Sequence, residues 1–272
     1  MLRRLLALGL AALMIGCGAP AAAGGGRAPR AEAVQLAPQR PGVVDAYILS
    51  FGLWGPQSVF ESEAKGAARA LEAALDSPGR SIVRFNGKRR FGARPRDLMA
   101  AADAVGRVLD PEEDVVVLVL SSHGSPEGVA IVAGAEQRIV SPDVARVLLD
   151  RTRARHRVLI VSACYSGVFA RALADPRTLV VTAAAPDRPS FGCRDGATWT
   201  YFGDAFFNQA LRSEPDLAAA FARARALVTA REQKEGFEPS NPQIAGGAEV
   251  LGRLGARRPR GERTGTSAAD VP

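Results

Sequence analysis

One segment limits the possible folds more than any other: Asp114-Val115-Val116-Val117-Leu118-Val119-Leu120, an unbroken aliphatic run behind one aspartate. A strand with one wet face alternates polar and apolar residues, so an uninterrupted run of this length predicts a strand covered on both faces. β-rich runs of the same kind recur at Val43–Phe51, Ser81–Asn86, Arg157–Val161 and Thr178–Thr182. Stretches with apolar residues at helical spacing separate them, at Ser58–Leu75, Pro95–Leu109 and Ser141–Arg153, the last opened by the helix-start pair Ser141-Pro142. Strands alternating with helices of these lengths predict an α/β fold with a largely parallel sheet, helices on both faces and right-handed crossovers. Gly128–Ile131 and Arg138–Val140 predict a small hairpin, and two more helices are expected near Gly203–Leu211 and Pro215–Glu232. With 272 residues, 47% of them hydrophobic, the chain has apolar mass for one sizeable core, placed at residues 42–254.

The ends read differently. Arg3 and Arg4 precede an apolar run from Leu5 to Ile15, too short to span a bilayer, which reads as an export signal. Met14-Ile15-Gly16-Cys17 resembles a lipobox, in which the Cys is lipidated and becomes the mature N-terminus; Met14 stands where Leu is usual. Residues 1–17 are thus expected to be a lipoprotein signal with Cys17 as the lipidation site. An ordinary signal peptide cut within Ala21-Ala22-Ala23 is the alternative. Residues 18–41, rich in Ala, Gly and Pro, are expected to be a flexible tether, and residues 255–272 a disordered tail. Gly18 is not Asp, which by resemblance to known sorting rules favours the outer membrane of a Gram-negative host, facing the periplasm.

The net charge of +7 invites a nucleic-acid reading, yet only Lys65, Lys88 and Lys234 among the basic residues are Lys. The excess gathers at the ends, in Arg3, Arg4, Arg253, Arg257, Arg258, Arg260 and Arg263, so no nucleic-acid partner is expected. If Cys17 carries lipid, Cys164 and Cys193 remain in an exported protein. There, either the two form a disulfide or one of them is reactive.

In an open parallel sheet, chemistry sits beyond the carboxyl ends of the strands. Ser121-Ser122-His123-Gly124 follows the strand ending at Leu120, and Ser162-Ala163-Cys164-Tyr165-Ser166-Gly167 follows the strand ending at Val161. His156, in Arg155-His156-Arg157, precedes its strand and falls on the opposite edge. If the two strands are neighbours at about 4.8 Å, imidazole and thiol come within reach of each other. A thiolate attacks a carbonyl well, and a nearby imidazole accepts its proton and returns it to the leaving amine. Gly124 admits a close backbone approach, its N–H and that of Cys164 are candidate oxyanion donors, and Gly167 is expected to free the turn after the nucleophile. Taken singly, Cys164 also reads as a buried small hydrophobe and His123 as a polar loop residue. Cys193 reads as a free, partly buried thiol.

Ser-Ser-His-Gly after one hydrophobic strand and Ala-Cys-Tyr-Ser-Gly after the next resemble the paired signatures of legumain-like cysteine peptidases, in the caspase-like clan. The resemblance runs from about Val43 to about Ile244, through Val181-Thr182-Ala183-Ala184, Pro189-Ser190-Phe191-Gly192-Cys193 and Thr200-Tyr201-Phe202-Gly203-Asp204. It implies a caspase-like three-layer sandwich with a mostly parallel six-stranded sheet, endopeptidase activity on peptide or protein substrates, a His123–Cys164 dyad, and neither metal nor cofactor. Tyr165 stands where eukaryotic legumains usually carry Glu. The resemblance further implies a pocket for the residue before the cleaved bond, drawing on Ser190 and Asp204. The family's Arg is missing from Val59-Phe60-Glu61-Ser62, where Glu61 adds negative charge instead. The bland alternatives are a helix cap for Asp204 and a turn cap for Ser190.

Three other readings compete. A Cys-dependent phosphatase needs an Arg separated from the Cys by five residues; Ala170 holds that place and Arg171 follows it. A serine hydrolase lacks its Gly-x-Ser-x-Gly, and Ser166 has no acid–base pair of its own. A caspase-like lipoprotein that only binds or assembles remains the alternative from a different class, since fold does not fix function.

Overall fold

The computed structural model describes residues 35–256; Cys17, residues 18–34 of the expected tether and residues 257–272 of the expected tail lie outside them. The chain opens with β1 (Ala46–Gly52), α1 (Ser58–Ala74), β2 (Ser81–Phe85), α2 (Pro95–Gly106) and β3 (Val115–Ser121). Three short strands follow, β4 (Gly124–Ser125), β5 (Gly128–Ala133) and β6 (Glu136–Val140), then α3 (Pro142–Arg151), β7 (His156–Ser162), α4 (Gly167–Leu173) and β8 (Thr178–Thr182). Next, α5 (Tyr201–Gly203) passes through a π-helical stretch, Asp204–Ala210, into α6 (Leu211–Ser213). The last elements are α7 (Leu217–Glu235), β9 (Gln243–Gly246) and α8 (Ala248–Ala256).

The central sheet has six strands in the order β2-β1-β3-β7-β8-β9. Its first five strands are parallel and β9 is antiparallel to β8. Every residue of β3 is buried, as its unbroken apolar run requires. Side chains alternate between the two faces. Leu49, Phe51, Leu118, Leu120, Leu159 and Val161 join the core under α2, α3 and α4. Ile48, Val117, Val119, Val158 and Ile160 join the core under α1, α7 and α8. The architecture is therefore the three-layer α/β sandwich that the sequence predicts. β9 and α8 carry too few residues to stand out in the sequence, and tertiary pairing with β8 creates the former.

The expected tether ends earlier than residue 41. Ala37 N–H donates to Gly79 C=O at 2.8 Å, and Arg40 pairs with Asp45 at 2.7 Å. Asp45 is fully buried, and its carboxylate needs a cation to stay there, so the segment carrying Arg40 is drawn onto the body. At the other end α8 continues to Ala256, two residues into the expected tail. No helix among the described residues is long and apolar enough to cross a membrane.

Strand order reverses direction at β1 and β3, the place where an open sheet leaves a crevice between the loops that follow its strands. The small sheet β4-β5-β6 binds those two loops together. Ala130 N–H donates to His123 C=O at 2.9 Å, and Val132 N–H donates to Leu53 C=O at 2.9 Å. Val132 C=O in turn accepts from Gly55 N–H at 3.0 Å.

Candidate active site

The register of β3 on β7 aligns Ser121 with Ser162, the last residues of both strands. His123 and Cys164 each lie two residues beyond that pair. Ser122 N–H donates to Ser162 C=O at 3.2 Å, so the strands remain side by side as they leave the sheet. Gly124 then packs directly on the loop of Cys164: a Cβ at Gly124 would fall 2.1 Å from Cys164 C=O and 3.1 Å from Ala163 Cβ. Only a residue without a side chain fits.

Gly124 also keeps its N–H out of the small sheet. In an antiparallel ladder, hydrogen-bonded and non-hydrogen-bonded pairs alternate. The Ala130–His123 bond makes that pair hydrogen-bonded, so the next pair, Gly124 with Val129, is not, and the Gly124 N–H faces away from β5. Among the described residues no hydrogen bond takes the Cys164 N–H.

Three residues from the β1 side hold His123. Gln57, just before α1, places Oε1 2.5 Å from His123 Nε2 and donates from its own Nε2 to Cys193 C=O at 2.9 Å. A carbonyl only accepts, which fixes the amide orientation: the Gln57 oxygen faces the ring, and His123 Nε2 must carry a proton. The lone pair of neutral His123 is therefore on Nδ1. Trp54 and Phe60 meet the imidazole edge-on, with centroids 4.7 and 5.1 Å away. This burial holds the imidazole below its usual value, so the neutral form is favoured.

Cys164 is half-buried, and its Sγ lies against Ser190: Ser190 N–H is 3.2 Å away, Ser190 C=O 3.4 Å and Ser190 Oγ 3.7 Å. Tyr165, the next residue, takes a left-handed backbone with φ 56°, a conformation that costs a non-glycine residue about 1 kcal/mol or more. The expected turn glycine, Gly167, has a different task. A Cβ there would sit 2.4 Å from Pro186, so Gly167 allows close packing while Tyr165, anchored by its N–H on Arg188 C=O, makes the turn.

Glu63, in α1, carries no motif that the sequence would single out. It is fully buried beneath both loops. Its carboxylate accepts from Ser121 Oγ at 2.8 Å, Thr200 N–H at 2.9 Å and Thr200 Oγ1 at 2.7 Å, while Ser162 Oγ lies 3.1 Å from Thr200 Oγ1. Burial pushes the carboxyl above its ordinary value and these donors oppose the rise. Glu63 thus joins the ends of β3 and β7 through hydrogen bonds alone.

Asp204 touches neither Cys164 nor Ser190. Its oxygens accept from Asn208 Nδ2 at 2.7 Å and Gln209 Nε2 at 2.8 Å, with Arg231 at 4.0 Å. It is not the helix N-cap expected of it either: Thr200 holds that place in α5, and Asp204 stands at the C-terminal end of α5. Glu61 pairs with Lys65 at 2.5 Å, so it adds no unbalanced charge to the site. Cys164 and Cys193 are free thiols, and burial, with Cys164 and Glu63 nearby, pushes the Cys193 thiol up to about 12. Cys193 therefore stays protonated and is no nucleophile at neutral pH. Ser166 exchanges hydrogen bonds with Ala184, and Arg171 is exposed at the end of α4, which leaves both rival hydrolase readings without geometry. No cluster of three or more His, Cys, Asp or Glu suited to a metal occurs among the described residues.

Gln57 and Trp54 escaped the sequence reading because a Gln and a Trp in a Gly/Pro-rich loop carry no motif of their own. Comparison with known families matches residues 97–249 to the Peptidase C13 family, a span holding His123, Cys164 and Ser190. No curated protein matches the chain. With more than half of its length matched, and a six-stranded, mostly parallel sheet as expected, the chain belongs to the Peptidase C13 family, the legumain family of cysteine peptidases.

Proposed function

We propose that the protein is an endopeptidase in which Cys164 is the nucleophile, His123 its base, and the N–H groups of Gly124 and Cys164 the oxyanion donors. The observation that carries this reading is the register of β3 on β7, with His123 and Cys164 each two residues past the aligned pair Ser121 and Ser162. The Cys164 thiol proton passes to His123 Nδ1, and the sulfur attacks the peptide carbonyl carbon as the carbonyl electrons move onto oxygen. The two N–H groups stabilise that oxyanion. Its collapse breaks the C–N bond, and His123 gives the proton to the departing amine. Water then adds to the thioester carbonyl, losing its proton to His123; collapse of this second intermediate breaks the C–S bond and releases the carboxylic acid, and His123 returns the proton to sulfur, regenerating the thiol.

Gln57 acts through His123, holding the tautomer with its lone pair on Nδ1. Ser190 lines the pocket for the residue before the cleaved bond. Asp204 joins it when Asn208 and Gln209 release its carboxylate, and a pocket with this one acid favours Asn or a basic residue there over Asp or Glu. Lipidation at Cys17 anchors the domain at the periplasmic face of an outer membrane, and changing Cys17 releases the protein from the detergent-extracted membrane fraction.

The test is covalent labelling with an acyloxymethyl-ketone probe alongside hydrolysis of a positional peptide library, in the parent protein, Cys164→Ala and His123→Ala. Labelling and hydrolysis that vanish in both variants are expected. Labelling of Cys164 without hydrolysis of any peptide would instead favour a binding or assembly module. Dominant cleavage after Asp would overturn the pocket.

A further inference from the structure

Beside Cys164 the chain runs from Ser190 into Phe191, whose ring stacks on Phe237 with centroids 4.3 Å apart and planes at 15°. Tyr201 closes the group, 6.3 Å from each of these rings. Gly192 passes so close to Tyr201 that a Cβ would meet the ring at 2.5 Å, which fixes Phe191 against it. The far side is clamped. The Arg231 guanidinium lies 3.5 Å over the Tyr201 ring, and Tyr201 Oη donates to Glu235, which Arg231 also meets at 3.0 Å. Phe237 owes its place to Gly236, whose left-handed backbone ends α7 and turns the chain back toward Phe191.

A clamped aromatic group of this kind has every reason to be covered, yet Phe237 is 41% exposed. It is the one aromatic among the large exposed hydrophobic residues described; the others are Val43, Ile139 and Val147. The aromatic group is joined to the sulfur through one residue: Ser190 is in contact with Cys164, and Phe191 is the next residue in the chain. Successive Cα atoms are about 3.8 Å apart, so the Phe191–Phe237 surface begins one to two residue lengths from the reacting atom. An extended peptide advances about 3.3 Å per residue. A substrate held at Cys164 therefore brings its second or third residue from the cleaved bond over these rings.

We propose that Phe191 and Phe237, backed by Tyr201, form a substrate subsite for an aromatic or branched aliphatic side chain at the second or third position from the scissile bond. The inference rests on the peptidase reading above. Aromatic faces pair with apolar and aromatic groups at 4.5–7 Å between ring centroids and gain beyond area burial, whereas a Gly or Asp side chain leaves the rings wet. The substrates implied are apolar-rich segments of unfolded or extended protein, with a polar residue directly at the cut.

The experiment uses the full-length protein in detergent, with internally quenched peptides carrying Phe, Leu, Gly or Asp at each of the two positions. Phe and Leu are expected to raise kcat/KM about tenfold or more over Gly at one position, mostly through KM. Phe237→Ala should erase that advantage while Phe237→Leu retains part of it, and Phe191→Leu should reduce it. Alkylation of Cys164 by iodoacetamide, a probe too small to reach the rings, should proceed at the parent rate in Phe237→Ala and so confirm a folded site. Binding of the best peptide to Cys164→Ser protein, read by fluorescence polarisation, should weaken with Phe237→Ala as well. Hydrolysis without an apolar preference, or a preference that survives Phe237→Ala, overturns the subsite and leaves the peptidase reading intact. Failure to cleave any peptide, with Cys164 alkylation indifferent to His123→Ala, overturns both.

Discussion

The two ends of the central sheet each bury a carboxylate and each carry one of the two histidines, yet they are built on different principles. At the end where the strands begin, Asp45 is paired with Arg40 at 2.7 Å and Arg80 at 3.4 Å, and Asp114 accepts the N–H groups of Asp45 and Asp110. His156 is buried there with Nδ1 unpartnered and Glu249 3.8 Å from Nε2. At the end where the strands finish, Glu63 has no cation within bonding distance among the described residues and is held by Ser121 and Thr200. A groove of about 740 Å³ lies at the first end, bordered by Val43, Leu75, Leu217 and Leu251, and it contains no nucleophile. Ion pairing clasps the first end. At the second end a shell of neutral donors, the hydroxyls of Ser121 and Thr200 and the Thr200 N–H, holds the buried Glu63 carboxylate.

The strongest way to break this comparison is to exchange the roles of the histidines. His156 pairs in register with Val115, six residues down β3 from Ser121, which puts it roughly 20 Å from the reacting end. His123→Ala should lower kcat/KM by about 10³-fold or more, in the range that a positioned base contributes. His156→Ala should leave it within about twofold, as expected for a distant independent site. The reverse result would show that the chemistry lies at the other edge.

Gly124→Ala tests the contact between the loops that carry His123 and Cys164 and, with it, the proposed oxyanion site. Its Cβ collides with Cys164 C=O, and the shift needed to relieve it moves the Gly124 N–H off the oxyanion, so a loss of about 10²–10³ in kcat is expected with KM little changed. An active Gly124→Ala enzyme would remove Gly124 from the oxyanion site. Gln57→Ala should cost about tenfold to a hundredfold, because the imidazole keeps its place between Trp54 and Phe60 but loses control of its tautomer. Gln57→Glu, which keeps an acceptor facing Nε2, should recover part of the rate and move the acid limb of the pH profile upward.

Glu63→Ala should destabilise the fold by about 3 kcal/mol or more in urea titrations, since it strands the hydroxyls of Ser121 and Thr200 and the Thr200 N–H in a dry interior. Glu63→Gln, which retains an acceptor, should cost less than half as much. Equal losses would mean that the charge, rather than the acceptor geometry, is what these donors need.

The smallest effect expected is in pH dependence. Burial lowers His123, so the unfolded chain takes up a proton near the ordinary value of about 6.5 before the folded one does. The stability contributed by neutral His123 is present above that value and is lost as pH falls toward the folded value. His156 is lowered in the same direction, first by burial and then by Arg253, so His123→Ala should flatten only part of the acid slope. The acid limb of kcat/KM should likewise lie below about 6.5.

Much of this molecule follows from local pattern alone. The unbroken apolar run from Val115 to Leu120 can only be a strand covered on both sides, and two-sided coverage forces the layered α/β architecture. Because each strand of such a sheet must end where its apolar run ends, the positions of His123 and Cys164 just past Ser121 and Ser162 were legible too. What could not be read is everything that reaches them from elsewhere in the chain. Gln57 meets His123 across 66 residues, and Glu63 meets Thr200 across 137, contacts that exist only because β1 lies beside β3 and β3 beside β7. Strand order is set by how the helices pack over both faces, and local pattern carries no record of it. The same holds for the turn after Cys164: Tyr165 adopts the left-handed backbone because Arg188 anchors its N–H, while Gly167 is needed against Pro186.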